Sequence, residues 1–376
     1  MLDWLRSPAD LLKGVRLVDV IPFLKTLSEA SGISGYEVGV AGVVRERFTA
    51  LADEVRADAM GNLIAFKRGC GPEPRRRLML AGHMDEIGLM VTLVEGAFLR
   101  FTEVGGFDVR TLPSQEVLVH GRRALPGVIG SRPPHVLDAA EAGRPTAMED
   151  LFIDVGLAAE ELKTLVRVGD TVTLRATCTE LKNGRLVGKA LDDRAALGAM
   201  VVCLDLLRQM SHAWDVYAVA TVQEEVGLRG ACTSTFGIVP DVGIAIDVGF
   251  ARQPGFDGPE AIELDKGPAL VIGPNIHPAL WRELKAVADL YEIPVQTAVA
   301  PGGTGTDANA MQITREGIPT ALLGLPERSM HTPAETICVR DVQRTGRLLA
   351  LFIAGMGGDF MDRLNWTAPD GKGSAK

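Results

Sequence analysis

Residues 78–86 read LMLAGHMDE, an apolar run that ends in His83, Asp85 and Glu86. A continuous apolar run of this length is typical of a strand buried on both faces, as in the sheets of α/β proteins. The carboxyl ends of the strands in such a sheet form the crevice in which ligands bind. The segment therefore predicts an α/β fold with His83 at the edge of a binding site.

Histidine and acidic residues also follow other apolar runs of the chain. Each ends a strand-like run or lies in a tight loop beside one; Asp247, for example, is predicted to end a strand over residues 242–246. These residues are Asp192, Glu224, Glu225, Asp247 and His331. Charged side chains that several strands place at one edge of a sheet converge on one point. Together with His83 they predict a metal site.

Predicted strands and helices alternate over most of the chain. The spacing of apolar residues predicts helices over residues 18–29, 37–51, 195–210, 278–291, 307–316 and 342–354. Buried strands are predicted over residues 62–66, 77–81, 216–223, 242–246 and 294–300, and through Leu325. This alternation predicts a three-layer αβα domain with a mostly parallel sheet covered by helices on both faces.

A different texture marks the segment from residue 91 to residue 185. Short alternating segments are separated there by glycine and proline turns, and only residues 158–165 have a helical pattern. We predict a small β-rich domain at 91–185, inserted between two parts of the α/β domain at 1–90 and 186–366. The small and polar residues 367–376 predict a disordered tail.

Composition and charge exclude several classes of protein. The net charge of −9 over 376 residues argues against a nucleic-acid-binding protein, which needs a basic face. The five cysteines include no C-x-x-C pair and fit a reducing compartment. Neither a signal peptide nor an apolar stretch long enough to span a bilayer is evident. We therefore predict a cytoplasmic protein with no membrane or nucleic-acid partner.

Five of the strand-end residues suit a pair of metal ions. Two imidazoles and three carboxylates favour Zn, Co or Mn over Ca or Mg, which prefer oxygen alone. Two such ions about 3.5–4 Å apart need a bridging carboxylate, and each needs further ligands. Asp192 would bridge, His83 and Asp247 would bind one ion, and Glu225 and His331 the other.

Glu224 is left without a metal to bind. Because adjacent residues of a strand point to opposite faces, Glu224 and Glu225 share a site only if the strand has ended there, and Gly227 and Gly230 make a turn plausible. Glu224 would then be the general base that takes a proton from water and passes it to the leaving amine. Asp85 is placed to accept the second ring N–H of His83 and fix its tautomer.

Each of these signals has a plainer interpretation when it is taken alone. Asp247 would be a turn residue, Glu224 and Glu225 a solvated pair, and Asp192 a cap for the helix that begins at Ala195. Their joint occurrence at successive strand ends favours the metal site. Surface or structural roles are predicted for His120, His135 and His212. His277 begins a helix near the crevice, where it would line the pocket.

With these residues in place, the chain resembles a known family from about residue 27 to residue 352. It is similar to the M42 metalloaminopeptidases, the tetrahedral or TET peptidases, which include glutamyl aminopeptidase-like proteins and proteins labelled cellulase M. The motifs that carry the resemblance are 31-SGISGYE-37, 61-GNLIA-65, 81-AGHMDEIG-88, 189-KALDDR-194, 223-QEEVGLRGA-231, 305-GTDA-308 and 331-HTPAE-335.

The resemblance implies the same ligands and the same base as the chemistry does. It also implies a PDZ-like or barrel-like inserted domain that pairs subunits, and a hollow dodecamer of dimers that admits only short peptides. The sequence departs from the family at residues 248–255, VGFARQPG, where the family continues with Thr or Gly and an acidic or glycine-rich loop. The segment at 1–16 is also longer than the resemblance implies.

These observations predict an aminopeptidase that uses two divalent metal ions per subunit, Zn or Co, to remove N-terminal residues from short peptides. A metal-dependent hydrolase of N-acyl amino acids on the same scaffold is the nearest alternative. A glycosidase is disfavoured because glycosidases use a carboxylate pair without a metal cluster. An inactive, shell-forming scaffold is disfavoured because every implied ligand and the base are present.

Overall fold

The structure, a computed structural model, describes residues 17–137, 144 and 146–364. In chain order the strands are β1 (Glu54–Ala57), β2 (Leu63–Lys67), β3 (Arg77–His83), β4 (Gly88–Glu95), β5 (Phe98–Val104), β6 (Glu116–His120), β7 (Ala124–Gly130), β8 (Phe152–Asp154), β9 (Thr171–Leu174), β10 (Thr179–Leu181), β11 (Arg185–Gly188), β12 (Asp215–Thr221), β13 (Val242–Phe250), β14 (Ala269–Ile272), β15 (Gln296–Val299), β16 (Thr320–Arg328) and β17 (Glu335–Cys338).

The helices are α1 (Ile21–Glu29), α2 (Val38–Thr49), α3 (Ala159–Leu165), α4 (Leu191–Leu207), α5 (Arg229–Ile238), α6 (Pro278–Leu290), α7 (Asp307–Gln312), α8 (Val339–Ala354) and α9 (Phe360–Arg363). Helix α7 ends four residues before the predicted Glu316, at a turn through Ile313 and Thr314. The predicted tail at 367–376 and the N-terminal segment 1–16 lie outside the described residues.

One large sheet organises the α/β part of the chain. Its strand order among the described residues is β1-β2-β12-β3-β13-β16-β17-β11-β10, and β14 and β15 join beside β16. The four central strands β12, β3, β13 and β16 are parallel. The flanking pairs are antiparallel, so the predicted mostly parallel sheet is wrong at its edges. The reason is that β1–β2 and β10–β11 are hairpins, whose short connections allow only antiparallel pairing.

Apolar residues of the central strands alternate between two helical layers. In β3, Leu78 and Leu80 pack into the core formed with α1, α2, α4, α6 and α8, while Met79 and Ala81 pack into the core formed with α5 and α7. This alternation follows from the period of two residues along a strand. Because both faces are covered, the central strands read as continuous apolar runs, and the predicted three-layer α/β fold is confirmed.

The second sheet is a closed barrel formed by the β-rich segment of the chain. Within the described residues its strands close in the order β4-β5-β8-β7-β6-β9. The core is apolar, with inward residues such as Leu89, Leu99, Val117 and Ile153, and α3 contributes Leu162. The chain enters the barrel at Gly88, shortly after His83, and leaves it at the end of β9, before β10 and β11 rejoin the large sheet. The predicted β-rich insertion is therefore present as a barrel.

Within the described part of the chain, no helix is both long and apolar enough to cross a membrane. The longest helix, α4, is instead almost wholly buried between the sheet and α8. Its first turn departs from helical geometry at Asp192 and Asp193, whose shared peptide bond is cis, and Ala190 before them has a left-handed φ of 55°. The regular helix therefore begins only after the two aspartates.

Candidate metal centre

The strand-end residues that the sequence singles out surround one cavity. It has a volume of about 450 Å³ and lies at the carboxyl edge of the parallel strands. The predicted residues that line it are His83, Asp192, Glu224, Glu225, Asp247 and His331. Asp85 is fully buried and lies behind His83 rather than on the cavity wall. The fold thus brings together all six residues from five separate segments of the chain.

Glu224 and Glu225 both reach the cavity because the chain turns before them. Strand β12 ends at Thr221, which pairs with His83 of β3, and Gln223 has a left-handed φ of 56°. The loop is closed where the Gly230 N–H donates to the Val222 carbonyl oxygen at 2.9 Å. The condition for two adjacent residues to share one site is therefore met.

Asp247 reaches the site from a different position than the sequence predicted. Strand β13 does not end there but continues to Phe250, since its last residues pair with β16 as far as Glu327. Its pairing with β3 on the other side stops at Ala245. Asp247 thus lies just past the point where β3 and β13 separate, and this separation opens the crevice beside it.

Asp192 lies between the two histidines. One carboxylate oxygen, Oδ1, is 3.1 Å from Nε2 of His83, and the other, Oδ2, is 3.2 Å from Nε2 of His331. Nε2 of His331 is also 3.4 Å from Oε1 of Glu225. A carboxylate whose two oxygens face two different imidazoles has the geometry of a bridge between two ligand groups.

The tautomer of His83 follows from its second ring nitrogen. Nδ1 is 3.2 Å from the backbone carbonyl oxygen of Asp85, which can only accept, so Nδ1 carries the proton. The nearer carboxylate oxygen of Asp85 is 3.6 Å away, so the contact is made by the carbonyl rather than by the predicted carboxylate. Nε2 then faces Asp192 and the cavity, where its lone pair would bind a metal ion once its proton is displaced.

The Asp85 carboxylate instead holds the loop that carries the two glutamates. Its oxygens accept the backbone N–H groups of Glu224 at 3.1 Å and of Glu225 at 3.3 Å. Ser34 donates its hydroxyl to Oδ2 at 2.6 Å. The same side chain therefore supports the loop from beneath and adds negative charge behind His83.

The cavity concentrates more negative charge than the chain itself balances. Burial, together with neighbouring carboxylates, raises the pKa of Glu224 to about 9 and the pKa of Asp247 well above its ordinary value. Hydrogen bonds to Asp192 and Glu225 raise the pKa of His331 to about 11. Burial opposes the charge of His83, yet Asp192, Glu224 and Asp85 together raise its pKa. Without a metal, these raised pKa values mean that the site binds protons, and bound cations would replace them.

The donor set suits divalent cations. His83, Asp192 and Glu225 present ligand atoms within 4.8 Å of one another, and so do His83, Asp193 and Asp247. Oδ1 of Asp193 is buried with no hydrogen-bond partner among the described residues. Mixed imidazole and carboxylate donors suit zinc-like ions. Divalent cations would supply the positive charge that these buried carboxylates lack.

Three further buried side chains shape the site, and the sequence alone assigned no role to any of them. Glu335 accepts N–H bonds from Leu191 at 2.6 Å and Asp192 at 3.1 Å with one oxygen, and from His331 at 3.1 Å with the other. A single carboxylate thus ties together the backbones of two candidate ligands.

Glu37 and Asn62 act in the same way on the loop that carries Glu224. Oε1 of Glu37 accepts the N–H of Gln223 at 3.1 Å. The Asn62 side-chain amide accepts from the Val222 N–H at 3.0 Å and donates to the Gly230 carbonyl oxygen at 3.2 Å. Glu37, Asn62 and Glu335 all lie in the motifs that carry the family resemblance. Their position in these motifs is the sequence feature that could have indicated a role at the site.

Of the remaining histidines, His135 is exposed and the other three have structural contacts. His120 hydrogen-bonds to Thr173 at 2.9 Å, and His212 donates to the Trp214 carbonyl oxygen at 2.8 Å. His277 caps α6 by accepting from the Leu280 N–H, and it does not line the cavity. These contacts agree with structural roles for His120 and His212, whereas the predicted pocket-lining role of His277 is wrong because its ring caps α6 instead.

The sequence of the chain matches the model of one protein family. The model of the M42 glutamyl aminopeptidases matches residues 61–348, which contain every residue of the candidate centre. The chain belongs to the M42 family. The resemblance suggested by its motifs is therefore confirmed, and so is the predicted enzyme class, because the relatives of this M42 protein are named aminopeptidases, hydrolases acting on peptides.

Individual relatives agree over nearly their whole length. The M42 chain is 41% identical to a lysyl aminopeptidase of Pyrococcus furiosus over 86% of its own length and 94% of that protein. The crystal structure of a TET aminopeptidase from a marine sediment archaeon, Thaumarchaeota archaeon SCGC AB-539-E09, matches with a TM-score of 0.86 and 32% identity, over 92% of this chain and 98% of that chain.

A further solved relative concerns assembly. The Pyrococcus horikoshii TET1 peptidase, described as able to assemble into a tetrahedron or a large octahedral shell, matches with a TM-score of 0.78 and 30% identity, over 89% of this chain and 99% of that chain. The M42 family is metal-dependent, and the histidine and carboxylate cluster of this chain is a possible metal site.

Proposed function

We propose that this M42 protein is an aminopeptidase that uses two divalent metal ions to hydrolyse the N-terminal peptide bond of short peptides. The observation that carries the proposal is the position of Asp192, whose two oxygens face His83 and His331 at 3.1 and 3.2 Å. Glu224 lines the same cavity and, because it is not a proposed ligand, is available for proton transfer. Membership of an aminopeptidase family supports the peptide substrate.

The short distances within the cluster support the proposed ligands. His83, Asp247 and Asp192 would hold one ion, and Glu225 and His331, together with Asp192, would hold the other. When bound, the ions would polarise the scissile carbonyl and make water easier to deprotonate. Zinc or cobalt fits these donors best.

Glu224 is the proposed general base. It takes a proton from the attacking water and delivers it to the nitrogen of the departing amine, so that one carboxylate serves both halves of the reaction. Its base form requires ionisation, and the positive charge of bound metal ions would lower its pKa from the raised value of about 9. Asp85 fixes the glutamate backbone and, through its carbonyl oxygen, the His83 tautomer.

The chain is further proposed to act in the cytoplasm as a homo-oligomer, with dimers building a dodecamer whose cavities admit only short peptides. The assemblies described for the P. horikoshii relative support this part of the proposal. The inserted barrel is the proposed element that pairs subunits.

Hydrolysis of aminoacyl-p-nitroanilides by purified protein tests the function. We expect release that stops on treatment with a chelator and returns when Zn²⁺ or Co²⁺ is added, with two ions bound per chain. Release that continues in the chelated protein would contradict the metal assignment. Metal-loaded protein that cleaves N-acyl amino acids but no free amino-terminal substrate would replace the aminopeptidase with a deacylase.

A further inference from the structure

The cavity continues beyond the metal cluster into an apolar compartment. Its wall is built by strands β13, β14, β15 and β16 and by the loop that follows β13. The apolar lining includes Phe250, Phe256, Ile262, Val271, Val299 and Leu322. A compartment of this kind accepts the aliphatic part of a side chain, because apolar surface gains free energy when it leaves water.

One charged residue interrupts the apolar wall. Glu260 lines the compartment. Among the described residues that line the cavity outside the metal cluster, only Glu260 carries a charge. It is exposed, and it makes no hydrogen bond or ion pair with another described residue. A carboxylate that faces a cavity without a partner attracts a cation there.

The two arginines that hydrogen-bond to the backbone of this loop do not neutralise Glu260. Arg252 donates its guanidinium to the Asp257 carbonyl oxygen at 3.0 Å, and Arg328 donates to the Arg252 carbonyl oxygen at 2.7 Å. Neither arginine lines the cavity. The charge that a substrate side chain meets in this compartment is therefore negative.

The loop after β13 holds Glu260 at the cavity. Hydrogen bonds at its two ends close it, from the Ile262 N–H to the Phe250 carbonyl oxygen at 3.1 Å and from the Arg252 N–H to the Ile262 carbonyl oxygen at 2.7 Å. The Glu260 carboxylate lies over Gly258, with both oxygens 2.5 Å from the place where a Cβ on Gly258 would stand. The absence of a side chain at residue 258 therefore allows this position of the carboxylate. This loop begins with the stretch whose sequence departs from the family.

We infer that Glu260 selects peptides whose N-terminal residue is cationic, with lysine or arginine as the side chain. The inference rests on the proposed aminopeptidase function and adds the substrate class to it. The methylene groups of a long basic side chain pack on the apolar wall while its charged end reaches the carboxylate, as lysine and arginine do at protein surfaces. A charge-assisted hydrogen bond then forms between the ammonium or guanidinium and Glu260.

Lysyl and norleucyl p-nitroanilides test the inference, because the two side chains differ by the charged amine on a similar aliphatic stem. We expect the native protein to favour lysine in kcat/KM. Glu260→Gln should lower the lysine-to-norleucine ratio by about fivefold, since pairs of exposed charges contribute modestly. Asp257→Asn is the matched control, because Asp257 is an exposed carboxylate of the same loop that does not line the cavity, and it should leave the ratio unchanged.

Two further readouts separate charge from shape. Raising the salt concentration from about 0.05 to about 0.5 M should lower the lysine preference of the native protein and leave that of Glu260→Gln flat, because salt screens exposed charges. Gly258→Ala keeps the charge but displaces the carboxylate, so its ratio should fall between those of the native protein and Glu260→Gln.

Each result of the substrate comparison has one meaning. A native preference for norleucine, or a ratio that Glu260→Gln leaves intact while turnover persists, would overturn the assignment of Glu260 alone. No release from either substrate, or from a glutamyl p-nitroanilide, by the metal-loaded protein would overturn the proposed aminopeptidase function, and this inference with it.

Discussion

The barrel and the large sheet bury very different interiors. The barrel core is apolar, and its buried polar residues among those described are the threonines Thr171 and Thr173 of β9. The large sheet buries a group of carboxyls at its parallel centre, among them Asp85, Asp193 and Asp307. Buried charges oppose folding unless they are paired. The barrel core therefore contributes to stability, whereas the centre of the sheet carries a group of carboxyls that bound cations would balance.

The contrast predicts that changes in the two regions affect different measurements. Changes in the cluster should alter turnover and metal binding with little effect on the barrel. Changes in the barrel core should alter the free energy of unfolding with little effect on the metal. Four experiments examine this division, from the largest expected effect to the smallest.

Replacing Glu224 by Gln should lower kcat by about a hundred- to ten-thousandfold, because the amide cannot accept the proton of water. Two metal ions per chain should still bind, since Glu224 is not among the proposed ligands. The measurements are kcat on a p-nitroanilide substrate and metal content by mass spectrometry. Normal turnover in this variant would remove Glu224 from the role of base.

Replacing Ile153 by Ala should destabilise the protein by about 2–5 kcal/mol, because the side chain is fully buried in the barrel core and leaves a cavity. Denaturant unfolding measures the loss, and Val128→Ala on the exposed side of the same barrel is the control. The affinity for Zn²⁺ should stay within about twofold of native. A large fall in metal affinity would contradict the independence of the two regions.

Replacing Glu335 by Ala should weaken metal binding by about ten- to a hundredfold, since the backbones of Asp192 and His331 lose a shared anchor. Titration with a competing chelator measures the affinity. Glu327→Gln provides the comparison, because Glu327 is equally buried but neither of its carboxylate oxygens has a partner among the described residues. If both variants bind metal equally well, anchoring by Glu335 is not what organises the ligands.

The metal-free protein should lose thermal stability as the pH rises from 6.5 to 8. Hydrogen bonds to Asp192 and Glu225 raise the pKa of His331 from 6.5 to about 11, and burial raises that of Glu335 from 4.5 to about 8. In this window both groups bind more protons in the folded than in the unfolded protein, so stability falls as pH rises. Melting temperatures with and without bound Zn²⁺ measure it, and the loaded protein should show the flatter profile. A melting temperature that rises with pH in the chelated protein would contradict this charge balance.

The sequence predicted well what depends on local pattern. The apolar runs around Leu80 and Ile244 indicated the parallel strands, because central strands covered on both faces contain little else. The alternating segments after residue 91 indicated the β-rich insertion in the same way. The candidate centre followed because parallel strands share one carboxyl edge, so residues far apart in sequence meet there.

Features that depend on pairing between distant segments could not be predicted from the sequence. Asp247 was placed at a strand end, but β13 continues because β16 pairs beside it. Glu335 hydrogen-bonds to Leu191 and Asp192, which lie more than a hundred positions earlier in the chain, and to His331 in its own loop. The Asp85 carbonyl contact with His83 depends on backbone orientation, which residue types do not encode.

His83 and Asp192 are in contact although 109 positions separate them, and most of that interval is the barrel. Strands β4 and β9, at the two ends of the barrel, pair directly with each other through Leu89 and Val172. A barrel that folds first therefore shortens the loop that must close when the two ligands meet. The saving in chain entropy is about 1 kcal/mol, equivalent to about two halvings of the loop length. The insertion thus favours an order of folding in which the barrel forms early and the two halves of the centre meet afterwards.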